Sequence, residues 1–296
     1  MRRIKPDWTT YLHSMRKREI DTVFSRFPSQ VFSRGLEIGA GDGYQSTLLT
    51  QYIQHLIAID LNPERLQKES SDAVEYKICD AENIGEILHG QKFDIIFSSN
   101  LLEHVPEPQR VLRGTRTLLT EDGITINIMP GAWMELLFLL GHIPNQLVIF
   151  FEKLTQSGAW MKIKNRLGRK IKDQSETETN QALMQRYKGN NLKTAREKQS
   201  KLKRLLVPKI HGISKSHFHE IWEWRRRRWL NEFTDAGFQP IVVMRGPVVS
   251  GYGFGFDILR NILEAVGFTT HHIYICKKTG SASKHERYFK NQKSNK

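Results

Sequence analysis

The sequence predicts an α/β fold in which helices cover both faces of a doubly wound, mostly parallel sheet. Three observations point there. Residues 36–43 read LEIGAGDG: an apolar strand runs through Leu36 and Ile38 into Gly39, Gly41 and Gly43, and an amphipathic helix through Leu48 and Leu49 follows at once. Short apolar strands and helical stretches then alternate as far as Met129, the pattern that builds a parallel sheet from crossover units. From Ala132 the alternation gives way to an apolar and then a basic stretch, and it resumes near Phe238. An insertion therefore separates the first five strands from the last ones.

The chain of 296 residues, 39% of them hydrophobic, is long enough for one large domain with an insertion and can bury a sizeable core. Its two cysteines, Cys79 and Cys276, form neither a disulfide framework nor a metal-ligand spacing, so a reducing cytoplasm and no metal are expected. The start, MRRIKPDW, is basic without an apolar run behind it, which argues against a signal peptide. The net charge of +14 is unevenly spread. Residues 36–150 hold 7 basic and 16 acidic side chains, whereas 151–228 hold 21 and 7, and the tail from Lys277 holds 7 and 1. Basic additions on an acidic domain can draw nucleic-acid phosphates, anionic lipid headgroups or a nucleotide-linked substrate. A solvated, solubilising helix face accounts for them equally well.

In chain order, 11–27 reads as a helix with Met15, Ile20, Val23, Phe24 and Phe27 on one face, closed by Pro28. The first strand is 35–40. Glycine suits the turn after it because a side chain would hold a ligand off the backbone and positive φ is available there. Counting from Gly39, the sixth position is Tyr44, so the dinucleotide fingerprint is absent and the motif is GxGxG with Glu37 two residues ahead. A helix over 44–53 leads to a second strand, 55–61, ending in Asp60 and Leu61. A carboxylate about twenty residues beyond the glycine turn can accept hydrogen bonds from both hydroxyls of a ribose. Asn62 and Pro63 suit the start of the next helix. The third strand, 75–81, ends at Asp80-Ala81, and the fourth, 93–100, reads FDIIFSSN, apolar enough for a central strand. Its carboxyl end places Ser99, Asn100, Leu101 and Glu103 at the ligand crevice of an open α/β sheet. A helix over 108–119 and a fifth strand over 123–129, ended by Pro130-Gly131, complete this half.

Glu37-Ile-Gly-Ala-Gly-Asp-Gly43 resembles the first motif of class I S-adenosylmethionine (SAM)-dependent methyltransferases, and the later strand ends fall where that family has them. The resemblance covers about 34–131 and 229–278. It implies a Rossmann-like sheet of seven strands with the seventh antiparallel beside the fifth, and SAM as cofactor. Carried onto this sequence, Glu37, Gly39, Ala40, Gly41 and Gly43 would admit the methionine part, Asp60 with Leu61 the ribose, and Asp80 with Ala81 the adenine. Asn100 would face the donor or acceptor. A leucine, glutamate, histidine run like Leu102-Glu103-His104 is common in the small-molecule group of the family. The Asn/Asp-Pro-Pro-aromatic motif of DNA amino-methylating enzymes and a nucleophilic cysteine are both absent from this loop.

Residues 132–151, AWMELLFLLGHIPNQLVIFF, are interrupted by Glu135, His142, Pro144 and Asn145. Two short helices joined at His-Ile-Pro-Asn, forming a lid or dipping into a membrane interface, fit better than a membrane span. Residues 153–209 are rich in Lys, Arg, Gln, Ser and Thr, and aromatics for stacking on bases are sparse. His211, His217, His219 and Glu220 then lead into a single helix through Ile221, Trp222, Trp229, Leu230 and Phe233, closed at Ala236-Gly237. His211, His217, His219 and Glu220 are the candidates for a general base, each of them also compatible with packing. The histidine, glycine and arginine-tryptophan pattern here resembles methyltransferases that accompany bacterial surface-polysaccharide synthesis. Strand six (238–248), a helix (257–266) and strand seven (272–278) follow, and the polar tail is expected to be disordered.

The organisation read from sequence is thus 1–131 as the SAM-binding half, 132–217 as an apolar then basic helical insertion, 218–278 as the second half and 279–296 as a basic tail. The function it implies is SAM-dependent methyl transfer to a small or lipid- or nucleotide-linked acceptor such as a sugar hydroxyl, in the cytoplasm or peripherally at the inner membrane face. The alternatives are an RNA methyltransferase using the basic insertion and a non-catalytic scaffold that retains the fold.

Overall fold

Strands β1 (Phe32–Ile38), β2 (Ile53–Asp60), β3 (Val74–Ile78), β4 (Phe93–Ser99), β5 (Leu119–Pro130), β6 (Phe238–Arg245) and β7 (His271–Lys278) join in one sheet, in the order β3-β2-β1-β4-β5-β7-β6. The first five pair in parallel, and β7 inserts antiparallel between β5 and β6. This is the expected seven-stranded sheet. The computed structural model describes residues 7–66, 73–156, 207–208, 210, 214–249, 251–254 and 256–289.

Period-two alternation sorts the strands' side chains onto the two faces. On one face Leu36, Ile38, Ile96 and Met129 meet Val111, Leu112 and Leu118 of α4 (Pro108–Leu118) and Trp229 and Phe233 of a helix after the insertion. On the other, Phe32, Ile95, Phe97, Ile124, Ile126 and Ile128 meet Ile20, Val23 and Phe24 of α1 (Trp8–Phe24). The order reverses between β1 and β4, so the carboxyl ends of these two strands open the crevice where ligands of such sheets bind. Helix α2 (Tyr44–Leu49) leaves the glycine turn, and α3 (Ile84–Ile87) packs on α4.

Three segments differ from the sequence expectation. Residues 132–156 form one continuous helix, α5 (Ala132–Gln156), in place of two short helices, and Pro144 lies inside it. A proline removes one intrahelical hydrogen bond and bends a helix, and packing of the flanking turns can carry the chain through. The single helix expected around Trp222 and Trp229 is two, α6 (His217–Glu223) and α7 (Arg226–Asp235), because Arg225 takes an extended conformation at φ −72°, ψ 138°. Trp222 is consequently exposed, while Trp224 and Trp229 are buried. Finally, residues 279–289 of the tail are folded onto the domain. A 3-10 helix, Lys284–Tyr288, starts at a Ser283 and Glu286 capping box, and Phe289 packs against Phe27. Phe27 and Phe289 are apolar partners far apart in sequence, so composition of the tail alone concealed the contact. α8 (Asp257–Ala265) precedes β7. Residues 290–296 and the basic segment 157–206 lie outside the described residues.

Candidate active site

The turn after β1 uses all three glycines at positive φ: Gly39 at 84°, Gly41 at 59° and Gly43 at 83°. The Gly39 and Ala40 amides donate to the Ile59 carbonyl at 2.8 and 2.9 Å, which ties the turn to β2. A Cβ on Gly39 would lie 3.1 Å from Leu101, and one on Gly43 would lie 2.7 Å from the Tyr76 hydroxyl. At Gly41 it would meet nothing within 4 Å, so the middle of the turn faces open space. Asp60, at the end of β2, accepts the Gly41 amide on Oδ2 and the Asn62 amide on Oδ1, each at 2.9 Å. Each carboxylate oxygen keeps a further lone pair for a ligand hydroxyl. Asp80 caps the 3-10 helix Ala81–Asn83 by accepting the Glu82 amide at 3.0 Å, and Ala81 is buried beside it.

Around this turn the structure gathers a charged network that the sequence reading did not assemble. Arg16 of α1 donates to Glu19 Oε2 at 2.9 Å and to Ser99 Oγ at 2.6 Å, and Ser99 Oγ donates to Glu19 at 3.0 Å. Asn100, in the left-handed region at φ 49°, donates to Ser99 Oγ through Nδ2 and pairs with His271 Nε2 through Oδ1 at 3.1 Å. Alongside, His13 stacks on Tyr44 at 3.9 Å and pairs with Asp42 at 2.8 Å. Glu37 is buried, its Oε2 accepts the Ser46 hydroxyl, and its Oε1 is buried without a hydrogen bond. Glu103 is buried too, with Oε2 likewise unsatisfied.

Desolvation governs these carboxyls. Burial pushes Glu37 up to about 7, against the Ser46 hydrogen bond and the charge of Arg16. It pushes Glu103 up to about 8, against a hydrogen bond to its own backbone and Arg16. Burial also works to raise Glu19, but Arg16, His271 and the hydrogen bonds from Arg16 and Ser99 outweigh it and hold Glu19 below the usual range. His271 is driven down to about 4 by burial, so near neutral pH it is an uncharged hydrogen-bonding group. A signal for Glu19 was present in the sequence. Met15, Glu19 and Val23 recur every four residues, which places a carboxylate on the apolar face of α1.

On the far side of the crevice, α5 starts directly after β5 and packs against α6. Of the four base candidates, His211 lies outside the described residues, and His219 is exposed, 3.9 Å from Glu223. Glu220 is fully buried and stands with Glu135 and His217.

Comparison with known proteins agrees with this geometry. The family described as "Methyltransferase domain" matches residues 36–127, the stretch from β1 to β5 that carries the glycine turn, Asp60 and Asp80. Residues 36–127 carry a methyltransferase domain. The ubiquinone biosynthesis O-methyltransferase of Pseudomonas aeruginosa (strain UCBPP-PA14) is 31% identical over 47% of this chain and 65% of that protein. The protein of the same name from Xanthomonas campestris pv. campestris (strain B100) is 32% identical over 41% of this chain and 54% of that one. The chain thus spans less than two thirds of the length of these curated relatives. An S-adenosylmethionine-dependent methyltransferase from Mesorhizobium loti overlays 88% of this chain and 98% of its own, at TM-score 0.47 and 12% identity.

The residues of the methyltransferase domain fit SAM. Gly41 leaves room at the turn, and the Glu37 and Glu103 carboxyls border the same crevice with one orphaned oxygen each. SAM carries two cations, a sulfonium and an ammonium, either of which would favour the ionised forms of Glu37 and Glu103 that burial now opposes. SAM held there would supply an activated methyl group, and the residues around the turn would have to hold it in line with an acceptor and exclude water.

A pH prediction follows. Glu37 and Glu103 are neutral below about 7 and 8, and a bound cation favours their ionised forms. Binding should release protons near neutrality, so affinity for SAM rises as pH climbs from about 6 to 8. Calorimetry in two buffers of different ionisation enthalpy reads the release directly. An affinity flat across that window would show that neither carboxyl faces the donor.

Proposed function

We propose that this chain transfers a methyl group from SAM to an oxygen of a small acceptor carried on a lipid or nucleotide, a sugar hydroxyl on a lipid carrier being the leading case, at the inner membrane face. Donor binding is assigned to Glu37, Gly39, Ala40, Gly41, Gly43, Asp60, Leu61, Asp80, Ala81 and Asn100. Removal of the hydroxyl proton is assigned to His211 or His219.

The observation that carries the membrane side of this reading is the inverted polarity of α5. Its buried positions, Glu135, Phe138, His142 and Asn145, are mostly polar, while Trp133, Leu140, Ile143, Leu147, Phe150 and Phe151 are exposed. At about 100° per residue the two sets fall on opposite sides of the helix. By length and composition Ala132–Glu152 could cross a membrane. Its polar face, however, is held against the domain, where His142 pairs with the Tyr252 hydroxyl at 2.8 Å and Phe138 stacks on the Tyr252 ring. A helix seated that way lies in the interface plane with its apolar face in the lipid. Helix α8 adds Ile258, Leu259 and Ile262, all exposed, and buries none of its residues. The basic stretch that follows α5 in sequence suits anionic headgroups. The relatives named as O-methyltransferases support an oxygen acceptor.

Incubation of the full chain with methyl-labelled SAM and, separately, a bacterial lipid extract, a panel of nucleotide-sugars and total RNA tests the reading. Label in the organic phase or on a nucleotide-sugar is the expected result. Label in RNA would move the basic segment to the RNA reading, and donor binding with no transfer to any pool would favour the scaffold. Sedimentation with phosphatidylglycerol vesicles tests the membrane face. Leu140→Glu with Leu147→Glu should weaken it on the order of tenfold or more, since each leucine otherwise buries about 1.5–3 kcal/mol of apolar surface. Unchanged sedimentation would remove α5 from the interface.

A further inference from the structure

The cluster of Glu135, His217 and Glu220 lies outside the donor site, and its chemistry is distinctive. Glu135 is in the first turn of α5, and His217 and Glu220 are three apart on α6, so both of the latter point from one helix face toward the former. Both carboxyls are fully buried. His217 Nε2 lies 3.2 Å from the Pro208 carbonyl. A carbonyl only accepts, so Nε2 carries the proton and donates it. The other ring nitrogen, Nδ1, stands 2.5 Å from Glu135 Oε1. In the neutral ring Nδ1 is a lone pair, so the contact holds either a proton, on the ring or on the Glu135 carboxyl that burial pushes up and that also bonds Glu220, or a metal ion in its place. Two buried carboxyls and an imidazole thus meet at one point, and burial raises the pKa of the Glu135 carboxyl, which a divalent ion would keep ionised. The other Glu135 oxygen, Oε2, is buried and accepts no hydrogen bond.

We propose that Glu135, His217 and Glu220 bind one divalent transition-metal ion of the zinc class. One ligand atom from each of the three residues lies within 4.8 Å of the others. Metal–ligand bonds of about 2.1 Å set tetrahedral ligand atoms about 3.4 Å apart, so an entering ion would replace the proton between Glu135 and His217, part those two atoms by roughly an ångström and draw Glu220 in. An imidazole nitrogen with two carboxylate oxygens selects zinc, manganese or iron over magnesium or calcium, which take all-oxygen sets. The Pro208 carbonyl on Nε2 is the outer partner that fixes the tautomer and ring plane of a metal-binding histidine. Three protein ligands leave a coordination position open. The ion would also join α5 to α6 across the 82 residues that separate Glu135 from His217.

The test uses the full chain stripped with a chelator and then titrated with Zn2+ by calorimetry and with Co2+ by visible absorption. One equivalent should bind, Co2+ should develop ligand-field bands, and Zn2+ should raise the melting temperature. Glu135→Gln and His217→Asn, kept folded by circular dichroism, should each weaken binding at least tenfold, while His89→Ala, an exposed surface histidine, should not. Should the two variants fail to fold, the wild-type titration and the Co2+ bands still decide. Absence of stoichiometric binding in the wild type, or equal binding by the folded variants, overturns the proposal and leaves a carboxyl pair sharing a proton beside an imidazolium.

Discussion

Replacing Arg16 with methionine should cost about 3–5 kcal/mol of folding stability near pH 8, the usual effect of leaving one member of a buried ion pair uncompensated. Glu19 is the member left behind. Its side chain is 2% exposed, and among the described residues Arg16 and the Ser99 hydroxyl are its hydrogen-bond donors. The expected pH dependence separates lost charge from lost packing. In the wild type Glu19 titrates below the usual carboxylate range, so it adds stability above the unfolded pKa and loses it as pH falls through the folded one. Without Arg16, burial is opposed mainly by His271, which is itself neutral near pH 7, and the Glu19 pKa should move above its unfolded value. The deficit of the variant should then be larger at pH 8 than at pH 5, read from urea unfolding at each pH. A deficit independent of pH would assign the loss to packing of the arginine stem. Adding Glu19→Met to the variant should recover most of it, because two buried apolar groups replace a stranded charge.

This network also shows where sequence reading stops. The glycine turn was legible because its function needs backbone room, and three glycines at alternate positions announce it. The strand ends at Asp60, Asp80 and Asn100 were legible because the connections between strands are short and regular, so spacing carries position. Arg16 and His271 were not. They meet Ser99 and Asn100 only because α1 crosses the carboxyl ends of β1 and β4 and because β7 runs antiparallel, which brings His271 opposite Pro130. Contacts of that range are set by topology. The α5 segment failed for a different reason. In the sequence its polar residues read as interruptions of an apolar stretch, and in the structure they are one helical face turned inward. Reading Glu135, Phe138, His142 and Asn145 at helical spacing would have given one amphipathic helix of inverted sense and left Pro144 as a local bend.

Asp60→Ala should weaken SAM binding at least tenfold, about 1.4 kcal/mol, measured by calorimetry on protein shown to be folded. Two losses combine. The ribose hydroxyls would lose their acceptor, and the Gly41 and Asn62 amides would lose the carboxylate that now fixes the open turn. A donor fragment distinguishes them. 5′-Methylthioadenosine keeps the adenine and ribose of SAM and lacks the amino-acid part that the glycine turn would hold. If Asp60 binds the ribose directly, the fragment should lose affinity by the same factor as SAM. If Asp60 only braces the turn, the fragment should bind the variant nearly as well as the wild type, and the loss should be confined to SAM. Asp60→Asn sharpens the comparison, since its single carbonyl oxygen can serve Gly41 or Asn62 but not both. An equal loss for SAM and the fragment in Asp60→Ala, with a smaller equal loss in Asp60→Asn, is the outcome that a ribose-binding carboxylate requires.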